Sequence, residues 1–332
     1  MTVLRAPESL SWPPAMSSIQ HRKLTVVGAG YVGSTCAQLA AQKNLASEVV
    51  LIDIVEGRPQ GIALDMNQSA AIEGFSARVI GTNDPADTAD SDVFIVTAGL
   101  PRKPGMSRSD LLGVNGGIVT QVAEYIRNHS PEAVVIVVTN PLDSMVSLMR
   151  AKTGFPAQRV IGMAGVLDSA RFCWFISEAT GAGVQDVDAM VLGAHGDSMV
   201  PMPNYCTVNG VQLGDMLAAS EIDAMATRTK NGGAEIVGLL KTGSAWYAPA
   251  AASVAMAESI LNDARRLLPC ACFLNGQYGF EGLYMGVPAI LGSRGVEEIV
   301  ELPLTAEARA LMQKTAGAIQ ADVEAMRDLG LL

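Results

Sequence analysis

Aromatic side chains are scarce, at 5% of the chain, and histidine is scarcer still: His21, His129 and His195 are the only three in 332 residues. Cysteine is present but not arranged for cross-linking. Cys36, Cys173, Cys206, Cys270 and Cys272 are odd in number and scattered, which predicts reduced thiols in a cytoplasmic protein rather than a secreted disulfide framework. Cys270-Ala-Cys272 reads as two small apolar residues on one strand face, not as a redox or metal pair. Three distant histidines and these cysteines offer no ligand cluster of zinc-site spacing, so no metal is expected. No apolar run approaches the roughly 18 residues of a membrane span. Positive charge is outnumbered, 23 Lys and Arg against 33 Asp and Glu, for a net charge of −10, which argues against a general nucleic-acid surface.

Apolar residues, in contrast, make up 49% of the chain, and the mean hydropathy is +0.28. Such a composition suits buried parallel strands and oligomer interfaces. The length predicts two domains, each able to bury a core. Residues 1–20 stand apart: Pro7, Trp12, Pro13, Pro14 and several serines give no period, no signal-peptide core and no Arg-rich transit pattern. They are expected to form a flexible tail, with Met16 an alternative start.

The chain is organised around residues 22–33. Leu24 to Val27 is a short apolar, β-branched run; Gly28, Gly30 and Gly33 follow with GxGxxG spacing, and a helical pattern through Cys36, Ala37, Leu39, Ala40 and Ala41 comes next. A strand, tight turn and helix is the context in which this spacing binds a dinucleotide. Gly28 allows the turn, Gly30 the approach of a pyrophosphate, and Gly33 the packing of helix on strand. The helix N-terminus offers free N–H groups to the phosphates. A second strand, Glu48 to Ile54, carries Asp53 twenty residues past Gly33, the offset of a carboxylate on the adenosine ribose. That carboxylate repels a 2′-phosphate and favours NAD over NADP.

Alternation continues with a helix over Arg58–Glu73, strands at Ala77–Gly81 and Val93–Thr97, a helix over Asp110–Asn128 and a strand over Ala133–Thr139. The pattern predicts an α/β fold, a doubly wound parallel Rossmann sheet over residues 21–155, whose ligand lies beyond the strand ends marked by Gly28, Gly99 and Asn140. Residues 156–332 read as a second, α+β domain. It has helices at Gly165–Thr180, Glu221–Lys241, Tyr247–Arg266 and Thr305–Leu329, strands at Asp188–Leu192 and Cys206–Leu213, an Asn209-Gly210 hairpin signal, and short strand-like pieces over 268–300.

Three features carry chemistry. His195 sits in Gly193-Ala194-His195-Gly196-Asp197, just after a strand, where it can reach a cleft; His21 and His129 read as surface residues. Dehydrogenation of an alcohol needs a group that takes the hydroxyl proton, and imidazole titrates near pH ~6.5. Such a group works best with a carboxylate that fixes its tautomer. Asp168, on a helix start with Arg171 three positions on, is the candidate. The loop Leu100–Ser109 carries Arg102, Lys103 and Arg108 without an acid, a cationic flap over the strand ends that draws anions in. Guanidinium forks match carboxylates, and arginines 102, 108 and 171 suffice for two carboxylates and a reacting oxygen.

Five stretches in order, Val-Val-Gly-Ala-Gly-Tyr-Val-Gly, Arg-Lys-Pro-Gly-Met-Ser-Arg, Val-Thr-Asn-Pro-Leu-Asp, Gly-Val-Leu-Asp-Ser-Ala-Arg and Gly-Ala-His-Gly-Asp, resemble the lactate/malate dehydrogenase family over residues 22–328. The resemblance implies His195 as general acid/base and Asp168 as its partner. It implies Arg171 on the carboxylate next to the reacting carbon, Arg108 on the reacting oxygen, Asn140 on both substrate and nicotinamide ribose, and Ser244 lining the pocket. For NAD it implies Gly28, Gly30, Tyr31, Val32, Gly33, Asp53, Thr97, Gly99, Asn115 and Val138. Lactate-type members carry a neutral glutamine where this chain has Arg102, so a second substrate carboxylate is expected: (S)-malate and oxaloacetate, a tricarboxylic acid cycle step. The alternative is lactate or another 2-hydroxyacid. A non-catalytic NAD sensor fits poorly with His195, Asp168 and Arg171 all present. A short-chain dehydrogenase is disfavoured because no tyrosine has a lysine four residues on. The resemblance also implies a homodimer or homotetramer.

Overall fold

The structure is a computed structural model and describes residues 22–101 and 107–332; the expected tail, Arg102, Lys103 and the side chain of Arg108 lie outside the described residues. Six short strands, β1 (Lys23–Val27), β2 (Glu48–Ile52), β3 (Arg78–Thr82), β4 (Val93–Val96), β5 (Val134–Val137) and β6 (Val160–Gly162), form the parallel part of the sheet in the order β3-β2-β1-β4-β5-β6. Their near-continuous Val, Ile and Leu content has a simple cause: both faces are covered by helices, so alternation has no solvent side to serve. Val26 pairs with Leu51 on one side and Ile95 on the other, and all three are fully buried. Connections run through α1 (Tyr31–Gln42), α2 (Arg58–Glu73), α3 (Arg108–His129) and α4 (Leu142–Thr153). Strand order reverses at β1, with β2 on one flank and β4 on the other. The crevice beyond Val27 and Val96 is therefore the topological switch point.

The sheet does not stop at β6. After α5 (Gly165–Thr180), the chain adds β7 (Val187–Asp188), β8 (Val191–Gly193), β9 (Met199–Pro201), β10 (Thr207–Val208) and β11 (Val211–Gln212). The short helix α6 (Leu213–Met216), α7 (Ala219–Leu240), α8 (Tyr247–Leu261), β12 (Arg266–Asn275), β13 (Glu281–Gly292), β14 (Gly295–Ile299) and α9 (Ala306–Asp328) complete the chain. Strands β12, β13, β8 and β9 continue the large sheet in antiparallel fashion, with β14 pairing β13. Strands β11, β10 and β7 form a separate three-stranded sheet.

Some expectations need correction. The single strand expected over Asp188–Leu192 is two, β7 and β8, in different sheets. The helix expected to reach Arg266 ends at Leu261; Asp263 and Arg265, both at positive φ, turn the chain into β12. The short pieces expected over 268–300 include two long strands. Pro269 and Pro288 lie opposite one another in the β12–β13 register, which suits a non-hydrogen-bonded pair where neither owes the other an N–H. Helix α4 was not anticipated, because Leu142, Met145, Val146, Leu148 and Met149 bury most of its circumference and leave no polar stripe to read. The Asn209-Gly210 hairpin is present, with φ of 47° and 84°, as a type I′ turn requires. All five cysteines are unpaired; Cys270 and Cys272 lie on one buried face of β12 with sulfurs 3.6 Å apart.

Candidate active site

The first half of the site is the turn between β1 and α1. Gly28 has φ of +101°, and a Cβ there would lie 2.8 Å from Thr97 Oγ1. A Cβ on Gly33 would sit 1.8 Å from the Gly28 carbonyl oxygen, so helix and turn touch only because both are glycine. Gly30 differs: a Cβ there would meet nothing within 4 Å. The space beside it is open, and the α1 N-terminus carries no side-chain cap. The N–H groups of Tyr31, Val32 and Gly33 therefore face outward unpaired by the helix, the donor set that suits a phosphate. Asp53, just past β2, accepts from the Ala29 N–H at 2.6 Å and the Val55 N–H at 2.9 Å. These bonds hold its carboxylate against the glycine turn. At the mouth, exposed Tyr31 stacks on Trp246, and Trp246 on Tyr247, with ring centroids 5.1 Å apart in both pairs. A dinucleotide fits this crevice: donors for the pyrophosphate, an acid for the ribose, and open space beside Gly30.

The ends of β4 and β5 form the next wall. Thr97 Oγ1 donates to the Val27 carbonyl at 2.9 Å, and a Cβ on Gly99 would strike Thr139 at 2.6 Å. Asn115 is buried on α3; its Oδ1 accepts from the Leu100 N–H, and its Nδ2 donates to the carbonyls of Leu100 and Asn140. It thereby braces the two strand ends. Val138 is buried behind them, while Asn140 is exposed on the cleft.

The second half is carried by α5 and the turn after β8. Asp168 lies in the first turn of α5, where the helix dipole favours a negative charge. Its Oδ2 meets His195 Nδ1 at 2.9 Å and its Oδ1 accepts from Arg171 at 3.1 Å. Side-chain exposure is 2% for Asp168, 15% for His195 and 13% for Arg171. This is no solvated i,i+3 pair: one carboxylate serves a guanidinium and an imidazole in a nearly dry place. Ser169 Oγ accepts from the Val191 N–H at 3.0 Å and ties β8 to α5. Gly193 and Gly196, at φ of +85° and +130°, bracket His195 and let the chain turn out of the strand. Burial by itself disfavours the charged imidazole, but the charge and hydrogen bond of Asp168 outweigh it, and the His195 pKa is raised above 6.5. Burial pulls the Arg171 pKa down, against the pull of Asp168. The Arg171 Nε is buried without a partner among the described residues.

Two residues that sequence reasoning did not single out complete the geometry. Gly232 on α7 faces Arg171, and a Cβ there would come within 3.2 Å of the Arg171 Cδ. A helical glycine offers no sequence signal of this packing. Asp143, on α4, is buried and accepts the His195 main-chain N–H at 3.2 Å. It lines a cavity of about 640 Å³ shared with Asn140, His195, Lys230, Lys314 and Asp322. A second cavity, of about 590 Å³, opens by Asp90, Asp92 and Glu132 and contains none of the expected site residues. Ser244 is exposed in the connection between α7 and α8. Among the described residues no cluster of three or more His, Cys, Asp or Glu could hold a metal, and no helix is long and apolar enough to cross a membrane.

A dinucleotide crevice at the switch point, next to a histidine held by a buried aspartate and an arginine whose buried Nε has no partner among the described residues, defines an NAD-dependent oxidoreductase of the two-part α/β class. The model of the lactate/malate dehydrogenase NAD-binding domain matches residues 22–162, and that of the family's alpha/beta C-terminal domain matches 165–329. The chain belongs to the lactate/malate dehydrogenase family. A malate dehydrogenase of Roseiflexus castenholzii is 50% identical over 307 residues, covering 92% of this chain and 99% of that protein. Among solved structures, malate dehydrogenase from Salinibacter ruber is 47% identical with a TM-score of 0.89, over 93% of this chain and 99% of that one. The lactate dehydrogenase of Cryptosporidium parvum, solved with lactic acid and nicotinamide adenine dinucleotide, is 43% identical with a TM-score of 0.89, over 93% and 98% of the respective chains.

The choice of NAD over NADP is testable at Asp53. Asp53→Asn keeps an acceptor for Ala29 but removes the charge that opposes a 2′-phosphate. The ratio of kcat/KM with NADPH to that with NADH is expected to rise about tenfold, ~1.4 kcal/mol. An unchanged ratio places the discrimination elsewhere.

Proposed function

We propose that the protein oxidises (S)-malate to oxaloacetate, reversibly, with NAD. The observation that carries this reading is the shared Asp168 carboxylate, which orients one proton-transfer group and one anion-binding group toward a single small substrate. Arg171 commits one nitrogen to Asp168, and its buried Nε is available to the carboxylate beside the reacting carbon. Asp168 occupies His195 Nδ1, which leaves Nε2 for the substrate oxygen and fixes the neutral tautomer that can accept a proton there. Asn140, on the same cavity, orients the substrate. Arg108 polarises the reacting oxygen, and Arg102 takes the distal carboxylate. Gly28, Gly30, Gly33 and Asp53 hold the dinucleotide, Tyr31 and Val32 stand at its phosphates, and Thr97, Gly99, Asn115 and Val138 shape the wall behind the nicotinamide; Ser244 lies on the substrate side. When bound, NAD supplies the hydride acceptor. In malate oxidation neutral His195 takes the hydroxyl proton and Asp168 stabilises the resulting imidazolium; in reduction the imidazolium returns it.

The direct test is the rate of NADH oxidation with oxaloacetate and with pyruvate, side by side. A large excess for oxaloacetate supports the reading; a pyruvate preference supports the alternative 2-hydroxyacid, lactate, which the similarity to a lactate dehydrogenase keeps in view. The pH dependence follows from the raised His195 pKa. Oxaloacetate reduction needs the imidazolium, so its kcat/KM holds at low pH and falls as pH rises through a midpoint above 6.5. Malate oxidation needs the neutral ring, so its kcat/KM rises over the same interval. An oxaloacetate limb centred below 6.5 contradicts the arrangement. The five unpaired thiols suit a reducing cytoplasm, and the tricarboxylic acid cycle is the setting this chemistry suggests. Exposed Ile54, Leu64 and Ile72 support a homodimer or homotetramer, which light scattering distinguishes.

A further inference from the structure

His195 is held by two carboxylates from two helices. Asp168, on α5, takes the ring; Asp143, on α4, takes the main chain, its Oδ2 accepting from the His195 N–H at 3.2 Å. Asp143 is 7% exposed, and its Oδ1 is buried with no partner among the described residues. A buried carboxylate with a spare oxygen is a costly way to cap one N–H, which an amide or hydroxyl would serve as well. Its segment is anchored from behind by the Asn115 bond to the Asn140 carbonyl at 2.6 Å. The next residue, Ser144, donates to Asp322 of α9 at 3.2 Å. The far side of the turn is held too, by Thr315 Oγ1 donating to the Ser198 carbonyl at 2.8 Å. The turn that carries the ring is therefore clamped, and one of its clamps carries charge.

We propose that Asp143 is a positioning residue for the proton-transfer step: its carboxylate holds the turn that presents His195 and supplies a second negative charge that favours the imidazolium. The inference rests on the dehydrogenase reading above. Burial pushes the Asp143 carboxyl up to about 7, against the pull of His195; the Asp143 charge in turn pulls the His195 pKa upward, so each charged form steadies the other. Other charges face this place: Asp168 and Arg171 from α5, Asp197 from the turn itself, Lys230 from α7, and Lys314 and Asp322 from α9. All of them are the same in the wild type and in a variant at 143, so a difference between the two isolates Asp143.

The test is a 1H–15N NMR titration of the His195 ring in the full chain, wild type and Asp143→Asn. The amide keeps the shape and an acceptor for the N–H but loses the charge. The expected midpoint for His195 falls by about one pH unit, a roughly tenfold change in the imidazolium ratio. The falling limb of oxaloacetate kcat/KM moves with it, while NADH affinity stays unchanged. Wild-type protein gives a reciprocal check with no substitution: the Asp143 13Cγ resonance steps across the His195 titration. Identical His195 midpoints, or an Asp143 resonance indifferent to that titration, overturn the proposal. A shifted midpoint in a protein that turns over neither oxaloacetate nor pyruvate would sink the dehydrogenase reading and the catalytic role with it, while the Asp143–His195 charge coupling itself would stand.

Discussion

Replacing His195 with asparagine is expected to lower kcat in both directions by about 10³- to 10⁴-fold, the range lost when an oriented general acid/base is removed. NADH affinity is expected to stay within about twofold, less than ~0.5 kcal/mol. The separation follows from the architecture. The proposed cofactor crevice is lined by Gly28, Gly30, Gly33 and Asp53 at the ends of β1 and β2, whereas His195 hangs from β8 and is bonded to Asp168 and Asp143. Asparagine fills much of the same space and leaves Asp168 its salt bridge to Arg171. Stopped-flow binding of NADH and steady-state turnover measure the two quantities independently. Loss of NADH affinity in parallel with turnover would mean that His195 is a structural histidine.

The second large effect is expected at Arg102. Arg102→Gln should shift the ratio of kcat/KM for oxaloacetate over pyruvate by about a thousandfold toward pyruvate. In a closed, dry site an arginine facing the methyl group of pyruvate is an uncompensated charge, which costs about 3–5 kcal/mol, and each ~1.4 kcal/mol is a factor of ten in rate. Glutamine removes that cost and at the same time removes the partner of the distal carboxylate. Kinetics with the two keto acids on one preparation check this; an unchanged ratio rejects the electrostatic basis of selection.

Which parts of this site could be read in the sequence follows from the distance over which each part is encoded. The β1 turn was legible because its strand, three glycines and helix are contiguous and their spacing has a geometric meaning. Asp53 was legible because a fixed βαβ unit puts it at a fixed offset. The Asp168–Arg171 pair was visible as i,i+3 on a helix, but its burial was not. Its partnership with His195, 27 residues away, depends on β8 packing against α5 through Val191 and Ser169; the need of a general base for a carboxylate made Asp168 a candidate, and the family resemblance implied the pairing. Asp143 stood in a quoted motif without any sign that its carboxylate is buried under His195. Gly232 was silent for a similar reason: what it makes room for is Arg171, on another helix. In the second half, the short strand-like pieces expected over 268–300 include two long strands, β12 and β13, because nothing local tells that Pro269 and Pro288 meet across a ladder.

The most direct measurement of the central claim is a crystal structure of the protein with NADH and an unreactive dicarboxylate analogue of oxaloacetate. The account predicts one carboxylate on the Arg171 guanidinium, the analogue's oxygen within hydrogen-bond reach of His195 Nε2, and the second carboxylate paired with Arg102 beneath the closed 100–109 loop. A closed loop with Arg102 turned out into solvent, or a ligand bound away from His195, would contradict it.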